Sequence, residues 1–168
     1  VLDVVRVIGG ILLLNAFMSW WFTGSSTWGY DGKWVDLRYF QHMIFGGHHN
    51  FTESELKLFN GIGNNPIYVG VNGTVYDVSA SLLFYGPKGT YSAFAGKDAT
   101  RAWATGCLHV PEVFTHDMRG LEEQDLESLR QWVEFFEAHR KYWVVGTVIH
   151  DETVGDVIPP CERINYWH

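Results

Sequence analysis

Hydrophobic and polar positions follow three rhythms along this chain, and each predicts a different kind of element. From Val7 to Phe22 apolar residues run almost unbroken, with only Asn15 and Ser19 clearly polar. A helix apolar on every side needs an apolar surrounding rather than water. Taken as one helix, residues 1–22 would extend roughly 33 Å at 1.5 Å per residue, about one hydrocarbon core. Trp20 and Trp21 fall where an aromatic belt would meet the membrane interface. The run therefore predicts a single transmembrane helix over residues 1–22, although Asp3 and Arg6 trim its uncharged part to 16 residues. A secretory signal peptide and a buried core helix are the alternatives, and no small-residue cleavage site follows the run. Asn15 is read either as bonded to a neighbouring carbonyl or as a helix-association handle. Because the chain opens on Val1, residues upstream are expected, and with them the charges that would orient the span.

The second rhythm is aromatic and irregular. Residues 23–50 carry Trp28, Tyr30, Trp34, Tyr39, Phe40 and Phe45 among glycines, serines and histidines. That is too aromatic for a free linker, so these rings are expected at the membrane interface, on the following domain or against a partner. A short helix is predicted over residues 34–45. His42, His48 and His49 lack the cysteine or carboxylate company of a recognisable metal site.

From residue 51 the pattern becomes that of a folded domain. Thr52 and Glu55 form a capping box ahead of Leu56, Leu58 and Phe59. Ile67–Val71 and Thr74–Val78 are β-rich runs on either side of Asn72-Gly73, a strong hairpin signal. Ser92–Gly106 reads as a helix closed by glycine, with Asp98 and Arg101 expected to pair across one turn. Ala93, Phe94, Ala102 and Trp103 on it are candidates for a pocket wall or for ordinary core. Pro111–Gly120 reads as a loop or short helix. Leu126, Leu129, Trp132, Val133, Phe136 and His139 recur at helical spacing within 121–142, with Arg140 and Lys141 at the dipole-favoured end. Trp143–Ile149 is a β-rich run expected to return to the sheet, and residues 150–168 form a tail broken by Pro159-Pro160.

Composition narrows the picture. The 168 residues suit one compact domain plus an appendage, and 46% hydrophobic with 16% aromatic content is enough for a substantial core. Mean hydropathy near zero excludes a multi-span membrane protein. A formal charge of −7 with no Lys/Arg cluster excludes a nucleic-acid binder. Cys107 and Cys161 are the only cysteines, and a disulfide tying back the tail requires an oxidising compartment. Asn50 and Asn72 stand in glycosylation sequons, close to the number chance would supply.

The candidate chemistry lies in Phe84-Tyr85-Gly86-Pro87-Lys88-Gly89-Thr90-Tyr91. Gly86, Pro87 and Gly89 predict a tight loop with a tyrosine at each end. A phenol there can hydrogen-bond a ligand, or lose its proton and coordinate a metal such as haem iron; two half-buried core aromatics are the plain alternative. With the blocks FTESELKLFNG, IYVGVNGTVYDVS, FYGPKGTYSAFAGKDATRAWATGCL and KYWVVGTV, residues 51–147 resemble the membrane-associated progesterone receptor family of cytochrome b5-like haem/steroid-binding domains. The resemblance implies an α+β, cytochrome b5-like domain over residues 51–149, behind the N-terminal single transmembrane helix. It implies a five-coordinate haem b with Tyr91 as axial ligand to ferric iron, assisted by Tyr85, Lys141 and Tyr142. It further implies regulation of membrane partners such as cytochromes P450 at the endoplasmic reticulum, a sterol-related ligand, and a cytosolic domain.

That ligand set is chemically coherent. A free phenol ionises near pH 10, so a tyrosinate at neutral pH needs ferric iron and nearby positive or donating groups. A hard anionic oxygen favours Fe(III) and makes a reluctant electron carrier. The bis-histidine electron shuttles of the wider cytochrome b5 class use an HPGG motif, which this sequence lacks. A membrane-anchored haem-binding regulator without enzymatic activity is therefore the leading reading. A haem-free adaptor subunit of a membrane complex comes second, and b5-type electron transfer third. No nucleophile–base pair, phosphate loop or nicotinamide fingerprint supports catalysis.

Overall fold

The computed structural model describes residues 2–108, 110–159 and 161. It divides into two compact units, Val1–Gln41 and His42–His168.

In the first unit, helix α1 (Leu2–Thr23) is the element that the apolar run predicts. Only 6% of its most apolar window is buried; Leu13 and Trp21, for example, are 74% and 69% exposed. By length and composition it is a candidate membrane span. Its polar interruptions serve the chain that follows. The Ser19 hydroxyl donates to the Ser25 carbonyl and accepts the Trp28 N–H, both at 2.5 Å. Asn15 accepts the Trp28 indole N–H at 3.2 Å, so it is bound by the following turn rather than by a neighbouring carbonyl. Gly24, at φ +70°, ends the helix in the left-handed conformation that glycine takes without strain. A 3-10 turn at Lys33–Val35 precedes helix α2 (Leu37–Phe45), within which the two units divide.

The second unit is built on a four-stranded sheet of order β1-β4-β3-β2. The strands are β1 (His49–Thr52), β2 (Tyr68–Val71), β3 (Thr74–Asp77) and β4 (Trp143–Ile149). Asn72 and Gly73 both take positive φ, 52° and 75°, which gives the two-residue turn whose twist matches the flanking strands. β4 returns over the residues expected, antiparallel to β3 and parallel to β1. Thr52 caps helix α3 (Glu53–Leu56) in the predicted box, its hydroxyl accepting the Glu55 N–H. After α4 (Leu82–Tyr85) and α5 (Thr100–Thr105), helix α6 (Glu123–Ala138) packs against α5. The core comprises Val69, Val71, Tyr76, Phe94, Trp103 and Phe136 with their neighbours, each almost fully buried. Each such side chain contributes about 1.5–3 kcal/mol on leaving water.

Three expectations change. The helix predicted over Ser92–Gly106 is broken: a 3-10 turn at Ser92–Phe94 gives way to an extended stretch before α5. Gly96, at φ +73°, passes so close to Leu56 and Lys57 that a side chain would crowd them at 3.1 Å. The freed backbone then bonds β2, with Gly96 N–H to the Tyr68 carbonyl and Gly70 N–H to the Lys97 carbonyl, both 2.8 Å. Asp98 and Arg101 do not pair. Asp98 accepts from Thr100, Gly73 and His150, while the buried Arg101 guanidinium donates to the carbonyls of Asp117, Arg119 and Ile158. Finally, α6 starts at Glu123 and stops at Ala138, leaving Lys141 and Tyr142 in a turn before β4.

Candidate functional site

The tyrosine loop is closed by backbone rather than by side chains. The Tyr91 N–H donates to the Phe84 carbonyl and the Gly89 N–H to the Gly86 carbonyl, each at 2.8 Å. A Cβ at Gly89 would overlap the Phe84 carbonyl, and one at Gly86 the Leu82 carbonyl, so both positions need glycine for close approach. This closure brings the Tyr85 and Tyr91 rings to 6.0 Å. The turn after α6 delivers Tyr142, edge-on to Tyr85 at 6.3 Å, with its hydroxyl donating to Ser81 Oγ at 2.8 Å. Three phenols thus converge from α4, the loop and the foot of β4.

Their environments differ. Tyr85 is buried, and burial, reinforced by Tyr142 and Tyr91, raises its phenol above the ordinary range. It is a hydrogen-bond donor at neutral pH. Burial raises Tyr142 as well, opposed by Ser81, Tyr85 and the Lys141 charge. Tyr142 also stacks on His139 at 3.6 Å. Tyr91 is half-buried, and its hydroxyl meets no hydrogen-bonding group among the described residues. Lys141, half-buried beside Tyr142, supplies positive charge. An accessible phenol oxygen, with two further phenols in the same cluster and Lys141 beside one of them, is of the chemical type that can ligate a ferric centre. Phe94, Ala102 and Trp103 are core, while Ala93 is exposed.

Outside the loop, His48 hydrogen-bonds Thr147 at 3.2 Å and His49 packs edge-on to Phe51. A second gathering of donors had no sequence signal: Glu53, His116 and His150 lie 63 and 34 positions apart along the chain and meet only in the fold. Cys107 and Cys161 form a disulfide.

Comparison with known proteins now places the chain. The family model described as cytochrome b5-like heme/steroid binding domain matches residues 52–149. The chain belongs to the cytochrome b5-like heme/steroid-binding domain family, in its membrane-associated progesterone receptor branch. It is 44% identical to membrane steroid-binding protein 2 of Arabidopsis thaliana, over 58% of this chain and 41% of that one. It is 37% identical to the cytochrome P450 regulator dap1 of Schizosaccharomyces pombe, over 60% and 63%. It is 41% identical to a neuferricin homolog of Caenorhabditis elegans, over 61% and 31%. The chain thus spans less than two thirds of the length of each of these relatives. A solved Arabidopsis thaliana protein with a cytochrome b5-like fold superposes with a TM-score of 0.54 at 40% identity, covering 63% of this chain and all of that one.

Proposed function

We propose that this chain is a membrane-anchored haem-binding protein in which the Tyr91 oxygen ligates ferric iron. In this reading it regulates partner membrane proteins rather than catalysing a reaction. The observation that carries it is the Tyr91 hydroxyl, accessible and without a protein partner among the described residues, on a loop that only glycines can close. Haem b would supply a ferric centre with one face open to a small ligand or a partner's surface. Tyr85, whose hydroxyl bonds Tyr142 here, would turn to donate toward the ligand oxygen, and Lys141 would lower the cost of its negative charge. Helix α1 anchors the chain. The relative named as a cytochrome P450 regulator supports partners of that class, and the one named as a membrane steroid-binding protein supports a sterol as a further ligand; the same reading puts the chain in sterol metabolism at the endoplasmic reticulum. The Cys107–Cys161 disulfide favours an oxidising compartment, hence the lumenal side over the cytosolic face that the resemblance implies.

Reconstitution of the full chain with ferric haem tests the site. The wild type should show a ferric phenolate spectrum, and Tyr91→Phe should lose at least 100-fold in haem affinity with an unchanged far-UV circular dichroism spectrum. An unchanged haem spectrum in that variant would exclude Tyr91 as the ligand. Deleting residues 1–22 should release the remainder from membranes into solution on fractionation. The haem-free adaptor reading draws support from Leu82, Leu83 and Phe84, which are exposed beside the loop; Leu83 is 88% exposed. Absence of haem binding by the wild type would favour it.

A further inference from the structure

Glu53 opens α3, His116 lies in the loop after the 3-10 turn at Pro111–Val113, and His150 follows β4. Glu53 Oε1 stands 3.2 Å from His116 Nδ1 and 3.2 Å from His150 Nδ1. The two imidazoles stack with centroids 3.7 Å apart and planes inclined by 19°. The far nitrogen of each ring is engaged as well. His150 Nε2 is 2.8 Å from Asp98 Oδ2, on a side chain only 1% exposed, and His116 Nε2 is 3.3 Å from Thr153 Oγ1.

These distances set an electrostatic problem. An ionised carboxylate only accepts hydrogen bonds, so His150 Nε2 carries the proton that faces Asp98. In the neutral ring, Nδ1 then presents a lone pair to the Glu53 oxygen, another electron-rich atom. His116 presents the same lone pair to the same oxygen in the tautomer whose Nε2–H donates to Thr153; in the other, the Thr153 hydroxyl donates to Nε2 and Nδ1–H donates to Glu53. Adding a proton to each Nδ1 would stack two cations face to face. A single proton on either Nδ1 relieves one contact, whereas one divalent ion among the three atoms serves both imidazoles and the carboxylate at once. The two oxygen–nitrogen separations suit it, since a tetrahedral centre with bonds of about 2.0–2.1 Å has edges of roughly 3.3–3.4 Å; each imidazole bonds in its own plane, so the stacked rings would splay for both Nδ1 atoms to aim at one ion. The three ligand atoms here all lie within 4.8 Å of one another. Asp98 behind His150 is also the carboxylate–histidine arrangement that orients a metal-bound imidazole.

We propose that Glu53, His116 and His150 bind a divalent transition-metal ion of the zinc class, with Asp98 and Thr153 orienting the two imidazoles. The site is independent of the haem reading. Two imidazoles and one carboxylate leave a coordination position for water or an exchangeable ligand, unlike a closed four-ligand structural site. A cleft of about 160 Å³ lined by Glu53, Lys57, Asp98 and Thr115 opens beside it. Bound there, the ion joins the start of α3, the loop carrying His116 and the end of β4, so it stabilises the folded chain over the unfolded one.

The test is calorimetric titration of the full chain, solubilised in detergent and stripped with a chelator, with Zn²⁺, alongside Co²⁺ absorption spectroscopy. One Zn²⁺ per chain should bind with a micromolar or tighter dissociation constant and raise Tm. Co²⁺ should give the visible bands of a four- or five-coordinate nitrogen/oxygen site. Glu53→Gln and His116→Gln should each weaken Zn²⁺ at least 10-fold, and Thr153→Val by less, while metal-free circular dichroism stays unchanged. A His48→Gln/His49→Gln double variant should bind as the wild type does. Should His116→Gln fail to fold, Glu53→Gln, altered at a partly exposed position, decides. The proposal is overturned if the wild type binds no stoichiometric Zn²⁺, if Glu53→Gln retains full affinity, or if the double variant loses it.

Discussion

The tyrosine cluster and the histidine–carboxylate cluster of the second unit assemble their donors by opposite means. Tyr85 and Tyr91 belong to one short closed loop, and Tyr142 joins them by packing against rings: His139 at 3.6 Å, Phe136 at 5.7 Å and Tyr85 at 6.3 Å. Burial is the main influence on Tyr85 and Tyr142. The histidine side gathers residues from α3, the loop around His116, the extended stretch before α5 and the end of β4. Polar tethers hold it: Asp98 bonds Thr100, Gly73 and His150, and Arg101 grips three carbonyls. Donors on one loop, packed against a core, withstand distant change. Donors brought from four segments last only as long as the tethers do.

Removing the principal tether should have the largest effect. Arg101 is 1% exposed, and Arg101→Met would leave the carbonyls of Asp117, Arg119 and Ile158 without their charged donor. The expected loss is about 3–5 kcal/mol in urea unfolding, below the sum of three bonds at roughly 1.5–3 kcal/mol each because the freed carbonyls regain water and the buried charge is removed with them. Amide exchange should quicken more over residues 113–119 than over residues 82–91. Equal acceleration in both would erase the contrast between the clusters.

The disulfide restrains the same side more gently, because it fastens Cys161, beyond Arg101's partner Ile158, to Cys107 after α5. Replacing both cysteines by serine should cost about 2–4 kcal/mol, the usual range for closing a loop of this length. The urea midpoint measures the loss, and ferric haem affinity in the same variant should not move.

The smallest effect belongs to the tyrosine side and depends on pH. His139 is held below its usual pKa by burial first, then by Lys141 and Arg140. The unfolded chain therefore binds more protons at this position, and its contribution to stability, complete above the unfolded pKa, is lost as pH falls from about 7 toward 5. Comparing urea midpoints at these two pH values, His139→Gln should flatten part of the dependence. An identical slope in the variant would show that His139 titrates as freely folded as unfolded.

Much of the architecture could be read locally. The Asn72-Gly73 hairpin, the Thr52 cap, the amphipathic α6 and the strand at Trp143–Ile149 each rest on residues adjacent in sequence, whose preferences the fold obeys. The loop tyrosines were legible for the same reason, being six positions apart around two glycines. Local reading failed where a distant backbone came close. Ser92–Gly106 has helical periodicity, but β2 competes for its amides and Gly96 yields. Asp98 and Arg101 have the spacing of a helical ion pair, but the hairpin turn and His150 take the carboxylate first.

From the sequence alone came the apolar span, the hairpin, the long helix and the glycine-closed pair of phenols, since periodicity, turn chemistry and capping act over a few residues and need no partner. Tertiary structure alone decided which charges are buried, which carbonyls Arg101 holds, and that Glu53 would face His116 and His150. Such meetings depend on the directions in which whole elements pack, and no short-range preference along a chain encodes the distance between residues 97 positions apart.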